Sequence, residues 1–515
     1  MSKKKRRNKK TKNKSRSQPE KPTLSLCMIV KDEEKFLGRC LESVKDIMDE
    51  IIIVDTGSQD RTVAIARGYG AKVIHHQWQD DFAAARNEAL KHATGQWILM
   101  LDADEELDEV NKKKLLQIVK ANQGMAYFLN FRSPISNNAA GTAFINIHPR
   151  LFKNHPGIYF EGRVHEQIFT SVKKLGASIQ LSDVMVYHHG YCQDKKNQQD
   201  KLERNLRLLQ KQLKEQPDSA FWYFHLGETF SLLKKIEEAI RAYEQAITLG
   251  NIPAYLLACA HQNLACAWLK KREFTKVMDE CSQALALQSS LITPHFLMAY
   301  ASYSQGDYDK AILECQAYLE KASQNEKRKD RYFELEPNYG FIYTLLGHCY
   351  ARGGNFAQAE ESYHQALSYP NRYVETYASL GEISLQTGRT EEAICFLETA
   401  VRLDGKNPQL RVALAKAYFL AGNELVQQHQ LDQAEQCFLK AKELSPRTPA
   451  IHHNLAVIDI KRKDYESAII HFVDLLKIEP TNVEARRKLR ALYLKRRSPE
   501  TPSSSMTDQR KILAE

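Results

Sequence analysis

The chain has 515 residues, with 73 Lys+Arg against 63 Asp+Glu, 43% hydrophobic and 26% charged residues. At about 100–200 residues per domain this is a multi-domain globular protein, and its composition excludes wholesale disorder. No run approaches the ~18 consecutive apolar residues of a membrane-spanning helix, and the ten cysteines form no CxxC pair, which argues against a disulfide framework or zinc ribbon and fits a reducing cytoplasm.

In chain order, the first feature is the charge itself. Residues 1–21 hold eleven Lys/Arg and one Glu, so the formal net charge of +10 lies in this segment and the remainder is neutral. A block with nothing apolar to bury predicts a disordered tail over 1–22. It is either a solvated extension or a contact to anionic lipid at the inner face of the membrane, at about 1 kcal/mol per basic residue. No apolar stretch follows it, so it lacks the pattern of a secretory signal peptide. The neutral remainder argues against nucleic acid as a partner.

Short apolar runs at 24–30, 51–54, 72–75 and 97–101 predict strands. Helical spacing predicts helices over 34–45, 61–70, 82–92 and 107–120. Strands alternating with helices imply parallel pairing through right-handed crossovers, an open α/β sheet within a domain of residues 23–200. Ligands of such sheets bind beyond the carboxyl ends of the strands. Two of these ends carry carboxylates. Asp102 and Asp104 flank Ala103, and in an extended turn both can face one ion, which suits Mn²⁺ or Mg²⁺ bridging a diphosphate. The competing reading is an acidic approach to the helix at 107, favoured by its dipole. Asp55 ends the second strand, where it can accept hydrogen bonds from a nucleobase or ribose, or belong to a plain N-cap loop.

After a helical linker over 201–216, one pattern recurs over 217–495: a small residue, an aromatic three on, then Ala, an aromatic four on and Ala. The clearest copies are Gly227, Phe230, Ala239, Tyr243, Ala246 and Gly347, Tyr350, Ala359, Tyr363, Ala366. Weaker copies centre on Val277, Ala311, Ala393, Ala434 and Ala468, with a recurring spacing of 34 residues. This resembles the tetratricopeptide repeat, a helix–turn–helix unit of that length, in about seven copies. Insertions account for longer spacings around Ser323–Pro337 and Glu424–Gln430. Such repeats present an extended surface that usually binds protein or peptide. Residues 496–515 revert to polar, Pro/Ser-bearing sequence and read as a second disordered tail.

Four segments of the N-terminal domain come in a recognisable order: SLCMIVKDEE (25–34), IIIVDTGSQDRT (51–62), DFAAARNEA (81–89) and ILMLDADEE (98–106). Together they resemble family 2 glycosyltransferases, and more narrowly the bacterial branch fused to tetratricopeptide repeats that includes peptide S-glycosyltransferases. The resemblance implies a GT-A, Rossmann-like α/β domain followed by an all-α solenoid. It also implies a nucleotide-sugar donor, a divalent cation and inversion at the anomeric carbon. Carried over by position, Ile29, Val30 and Lys31 lie beside the donor, Asp55 contacts its uracil or ribose, and Asp102 faces its ribose or sugar. Asp104, with Asp102, binds the metal. Arg86 and Asn87 match the family's Arg-Asn pair near the donor phosphates, and Arg150 holds phosphate or acceptor. The family's Glu-Asp base motif and the GlnxxArgTrp motif of processive members are absent. The segment FEGRVHEQ (160–167) supplies Glu166 as candidate base, with His165 second. In YHHGY (187–191), His188 or His189 is a candidate third metal ligand, with His189 the choice.

The resemblance implies a metal-dependent, inverting, non-processive glycosyltransferase. Its acceptor is a peptide or protein recruited by the repeats, or a surface glycan or lipid-linked molecule near the membrane. The rival readings are a repeat scaffold with a degenerate nucleotide-sugar-binding domain and a nucleotidyltransferase. The three carboxylates at the family's spacing oppose the first, and the missing glycine-rich phosphate loop opposes the second.

Overall fold

The structure is a computed structural model that describes residues 22–134, 143–189, 195–326, 337–370 and 373–496. All but one residue of each predicted tail and the 327–336 part of the first insertion lie outside the described residues. The chain divides into two compact units, residues 1–338 and 339–515.

The first unit opens with an eight-stranded mixed sheet. Its strands are β1 (Leu24–Val30), β2 (Glu50–Asp55), β3 (Lys72–His75), β4 (Trp97–Met100), β5 (Glu105–Glu106), β6 (Ala126–Pro134), β7 (Ala143–Lys153) and β8 (Ile179–His188). The spatial order is β3-β2-β1-β4-β7-β6-β8-β5. The first four strands in that order are parallel, as the alternation of strands and helices implies. Beyond β4 the sheet changes character: β7 pairs antiparallel with β4, β6 antiparallel with β7, and β8 parallel with β6.

Five helices cover this sheet: α1 (Leu37–Val44), α2 (Thr62–Gly68), α3 (Phe82–His92), α4 (Glu109–Ala121) and α5 (Phe169–Lys174). Because β1 is buried on both faces, its side chains alternate between two cores. Leu26 and Met28 join Leu37, Leu41, Leu115 and Val119 beneath α1 and α4, while Cys27 joins Ile52, Ala85, Ala89 and Ile98 beneath α3. The caps explain where helices begin. Asp81 accepts the Ala84 amide at 2.9 Å and starts α3. Asp108 accepts the Asn111 amide at 2.8 Å and starts α4 two residues later than predicted. Glu105 and Glu106 are strand, so the acidic run after β4 is not the first turn of that helix.

The rest of the first unit is helical: α6 (Lys195–Glu215), α7 (Ala220–Leu232), α8 (Ile236–Leu249), α9 (Ala254–Lys270), α10 (Phe274–Leu287), α11 (Thr293–Gln305) and α12 (Tyr308–Glu326). The second unit contains α13 (Tyr339–Arg352), α14 (Phe356–Leu367), α15 (Val374–Gln386), α16 (Thr390–Leu403), α17 (Pro408–Gln427), α18 (Leu431–Leu444), α19 (Pro449–Lys461), α20 (Tyr465–Ile478) and α21 (Val483–Arg496). From α7 to α20 they pair as helical hairpins, four of them with a glycine on the first helix against a large residue on the second. A Cβ on Gly227 would stand 2.5 Å from the Tyr243 ring, and one on Gly347 2.4 Å from Tyr363. Only glycine permits that approach. The extra residues near 424–430 lengthen α17 to 20 residues. Among the described residues, no helix is long and apolar enough to cross a membrane.

Candidate active site

The carboxyl ends of β1 and β4 border a cleft of about 490 Å³. Beyond β4 the chain runs through Asp102-Ala103-Asp104 into β5, whose antiparallel pairing sets Glu105 opposite His188. That register places His188 Nε2 3.1 Å from Asp104 Oδ2. Ser133 Oγ lies 3.1 Å from the other ring nitrogen, Nδ1, and orients the imidazole. Burial works against protonation of His188, but the facing Asp104 outweighs it and raises its pKa. The neighbouring His189 is turned elsewhere, with Nε2 2.8 Å from Glu106 Oε1, on a carboxylate also held by Arg39. The imidazole beside Asp104 is therefore that of His188 and not His189, because neighbouring residues at a strand end face opposite sides.

Asp102 is gripped from both sides. Arg86 Nη2 donates to Oδ1 at 2.8 Å, and Arg150 Nη2 to Oδ2 at 2.9 Å. Burial alone would raise the pKa of Asp102, but the two guanidinium groups hold it far below the usual carboxylate range. Arg86 is 3% exposed, and its Nε also donates to Glu166. One buried arginine thus fixes two cleft carboxylates, and Nη1 of both Arg86 and Arg150 is buried with no hydrogen-bond partner. Beneath the loop, Glu105 accepts the Asp102 amide at 2.8 Å. Burial and the nearby Asp102 push the Glu105 carboxyl up to about 7.

The other expected residues divide. Ile29, Val30, Lys31, His165 and Glu166 line the cleft. Asn87 does not. One residue along α3 from Arg86, it points about 100° away and exchanges two hydrogen bonds with the Phe160 backbone, at 2.9 and 2.8 Å. Asp55 is likewise outside the cleft lining. It is 3% exposed, and its carboxylate accepts the Ser58 amide at 3.1 Å and lies 3.2 Å from His75 Nδ1. Burial would raise its pKa, but these partners hold it below its ordinary value. The loop after β2 is thus shaped by Asp55, and Thr56 is what it offers to the cleft. His165 has a left-handed backbone, with φ of 53°, and its ring stacks on His225 of α7 at 4.1 Å. Burial, then the neighbouring His225, pushes its pKa down to about 3.

Sequence reasoning missed the far wall, where Lys201 and Arg204 of α6, Phe221 and His225 of α7 and Tyr255 of α9 complete the cleft. It also passed over Glu33, whose carboxyl burial, then Asp104, pushes up to about 7. A raised folded-state pKa means that Glu33 holds its proton in the native state at pH values where the unfolded chain has lost it. Its contribution to stability therefore falls as pH rises from about 4.5 to 7. Glu33→Gln is expected to raise the melting temperature relative to wild type at pH 8 and leave it unchanged near pH 4. A pH-independent difference between the two proteins would contradict this.

As a metal site, Asp104 and His188 provide one carboxylate and one imidazole side by side. This donor set fits an Mn²⁺ or Mg²⁺ ion that takes its remaining ligands from diphosphate oxygens and water. Asp102, the other expected ligand, stands beside this pair with an arginine on each of its oxygens.

Residues 25–171 match the description Glycosyl transferase family 2. The N-terminal part of the chain is a family 2 glycosyl transferase domain. Tetratricopeptide repeat descriptions match residues 223–249, 344–408 and 415–448. Downstream of the glycosyl transferase domain the chain is therefore a tetratricopeptide-repeat protein. A TPR repeat-containing protein of Synechococcus elongatus is 38% identical over 234 residues, covering 44% of this chain and 57% of that protein. The SPbeta prophage-derived glycosyltransferase SunS of Bacillus subtilis is 31% identical over 228 residues, covering 44% and 53%. An uncharacterized glycosyltransferase of Rickettsia felis is 43% identical over 86 residues, covering 17% and 30%. The chain thus spans about half the length of the first two curated relatives. Among solved structures, YrrB, a TPR protein with an unusual peptide-binding site, aligns with 41% of this chain and 97% of its own, at 17% identity and a TM-score of 0.31.

Proposed function

We propose that the protein is a metal-dependent, inverting, non-processive glycosyltransferase. It moves one sugar from a nucleoside-diphosphate donor, a UDP-sugar in the first instance, to a peptide or protein acceptor. The observation that carries this reading is the arrangement of Asp102 between Arg86 and Arg150 beside the Asp104–His188 pair, at the carboxyl ends of parallel strands. A metal held by Asp104 and His188 would neutralise charge on the departing diphosphate. Arg86 and Arg150 hold Asp102 in one rotamer, ready to face the donor ribose or sugar, while Lys31 and Arg150 add positive charge where phosphate must sit. Ile29 and Val30 with Thr56 frame the nucleoside. Glu166, oriented by Arg86, is the proposed base for the acceptor's proton. A thiol acceptor makes a mild demand on that base, since a few per cent is already thiolate at neutral pH. The helical wall of Phe221, Tyr255 and Leu256 supports a peptide acceptor, because it sets apolar surface from the repeats directly in the cleft. The basic run over residues 1–21 suits contact with the inner face of an anionic membrane.

The test is a thermal-shift panel of UDP, GDP, CDP and TDP, each with and without Mn²⁺, on wild type and Asp104→Asn. One nucleotide at 100 times its dissociation constant is expected to stabilise wild type by about 2.7 kcal/mol only when Mn²⁺ is present. Asp104→Asn should lose that shift and donor turnover while melting at the wild-type temperature without ligand. A variant that keeps both would remove Asp104 from the site.

A further inference from the structure

A second cluster of titratable side chains lies in the second unit. The helical hairpins share a register: in five of them a small residue on the first helix is followed sixteen residues later by a large one on the second, as Gly347 by Tyr363 and Gly422 by Phe438, and in the other two, Ala265 and Ala299, by a cysteine. Four residues before the small position stand Tyr223, Tyr343, Tyr377 and Tyr418 in four hairpins, and His261, His295 and His452 in the other three. In two of those three the second helix answers the imidazole with a carboxylate. His261 Nδ1 lies 2.6 Å from Glu280, and His295 Nδ1 2.7 Å from Glu314, each 19 residues away. In the last hairpin, α19–α20, the residue at that same 19-residue distance from His452 is His471.

The exchange leaves nitrogen lone pairs without partners. His452 is 3% exposed, and its Nε2 lies 2.9 Å from the Pro446 carbonyl, which fixes the proton on Nε2 and leaves Nδ1 as a bare acceptor. Nδ1 of His452 and Nδ1 of His471 are both buried with no hydrogen-bond partner. His471 Nε2 points towards Asp459 Oδ2, 3.7 Å away. His452 thus has the outer-shell arrangement of a metal-binding histidine, its Nε2 on a carbonyl and its Nδ1 unused, while His471 has Asp459 on its Nε2 side beyond hydrogen-bond distance and an unused Nδ1. One turn along α20 from His471, Asp474 completes the group. Single ligand atoms of His452, His471 and Asp474 all lie within 4.8 Å of one another.

We infer that His452, His471 and Asp474 bind one borderline divalent cation of the zinc class within the last helical hairpin. Two imidazoles and a carboxylate suit Zn²⁺ better than Mg²⁺ or Ca²⁺, which prefer all-oxygen sites. Lys477 Nζ lies 3.0 Å from Asp474 Oδ1 and Lys442 Nζ 3.9 Å from Oδ2. Both lysines reach solvent on flexible stems, so a cation displaces them without leaving a buried ammonium. The site would pin the two helices of the last hairpin to each other.

The test uses the full chain, stripped with a chelator, desalted and titrated with Zn²⁺, with bound metal counted by elemental analysis. His452→Tyr is chosen because tyrosine stands at the equivalent position of four other hairpins. Asp474→Asn, at a half-exposed residue, serves as the second variant should the first fail to fold. Wild type is expected to retain one equivalent more of Zn²⁺ than either variant, with at least tenfold weaker binding in the variants. Asp104→Asn should keep that equivalent, which separates this site from the one beside β5. Co²⁺ in place of zinc should give a visible absorption band in wild type that both variants lose. Equal zinc content and affinity in wild type, His452→Tyr and Asp474→Asn would overturn the assignment and leave the pocket to water.

Discussion

Arg86→Met is expected to cost the protein both its activity and a large part of its stability. The Arg86 side chain is buried and bridges Asp102 and Glu166, so the substitution leaves Glu166 without its arginine and Asp102 with Arg150 alone. Removing one member of a buried ionic group costs about 3–5 kcal/mol, and the partial exposure of Asp102 places this case near the lower end. The pH dependence has a definite sign. Asp102 has a depressed native pKa, so the stability it draws from its arginines is present above the unfolded value of about 3.9 and is lost as pH falls below it. The gap between wild type and variant should be full at pH 7 and narrow progressively as pH falls below about 4. Donor turnover should fall by about 10²–10³-fold, as when a preorganised charge is withdrawn from a developing anion. Arg86→Lys should recover little, because a single ammonium cannot span two carboxylates as a guanidinium fork does. Turnover within a few-fold of wild type in Arg86→Met would show that Asp102 does not need its clamp.

The clamp also shows what the sequence discloses and what it withholds. The parallel half of the sheet is legible because each strand is a short apolar run with a turn after it, and the repeats because a small residue recurs sixteen before a large one. The antiparallel half is not. β6 and β7 mix apolar and polar residues, and their pairing is decided across a connection rather than within a window. The acidic loop is legible as a candidate ligand site, but which of His188 and His189 reaches Asp104 depends on the register of β5 against β8, and a one-residue slip would exchange them. Arg86 and Asn87 read as a pair and act apart, since a helix turns about 100° between them. Asp55 looks like a base reader, and its hydrogen bonds to its own loop become visible only in the fold. Lys201 and Arg204 carry no signal at all. They sit in a charged helix that reads as a linker, and only the fold brings that helix over the cleft.

That last point bears on how the chain can be cut. The alternation of domain types suggests that the sheet domain would work without its repeats, but the structure predicts otherwise. Trp222 and Leu226 of α7 pack with Val164, Leu208 and Leu209 in one apolar cluster. Gly162, with φ of +105°, leaves room for the Trp222 ring, which a Cβ there would meet at 2.2 Å. The His165–His225 stack closes the same seam. A chain ending at Glu215 would expose this cluster and strip Phe221, His225, Tyr255 and Leu256 from the cleft. It is expected to aggregate, or to hydrolyse donor at least tenfold more slowly than the full chain. A chain ending at Asn338, where the first compact unit ends, retains every residue that lines the cleft. It should bind nucleotide and hydrolyse donor at close to the full rate. The comparison is made on donor hydrolysis and on the nucleotide-dependent melting shift, neither of which needs an acceptor. If the shorter chain matches the longer one in both, the repeats contribute no wall to the site. If instead only the chain ending at Asn338 is active, the first repeat helices are part of the catalytic domain in every sense but their sequence pattern. The acceptor would then meet the donor between a sheet edge and a repeat, so that the same helices that recognise it also shape the place where it reacts.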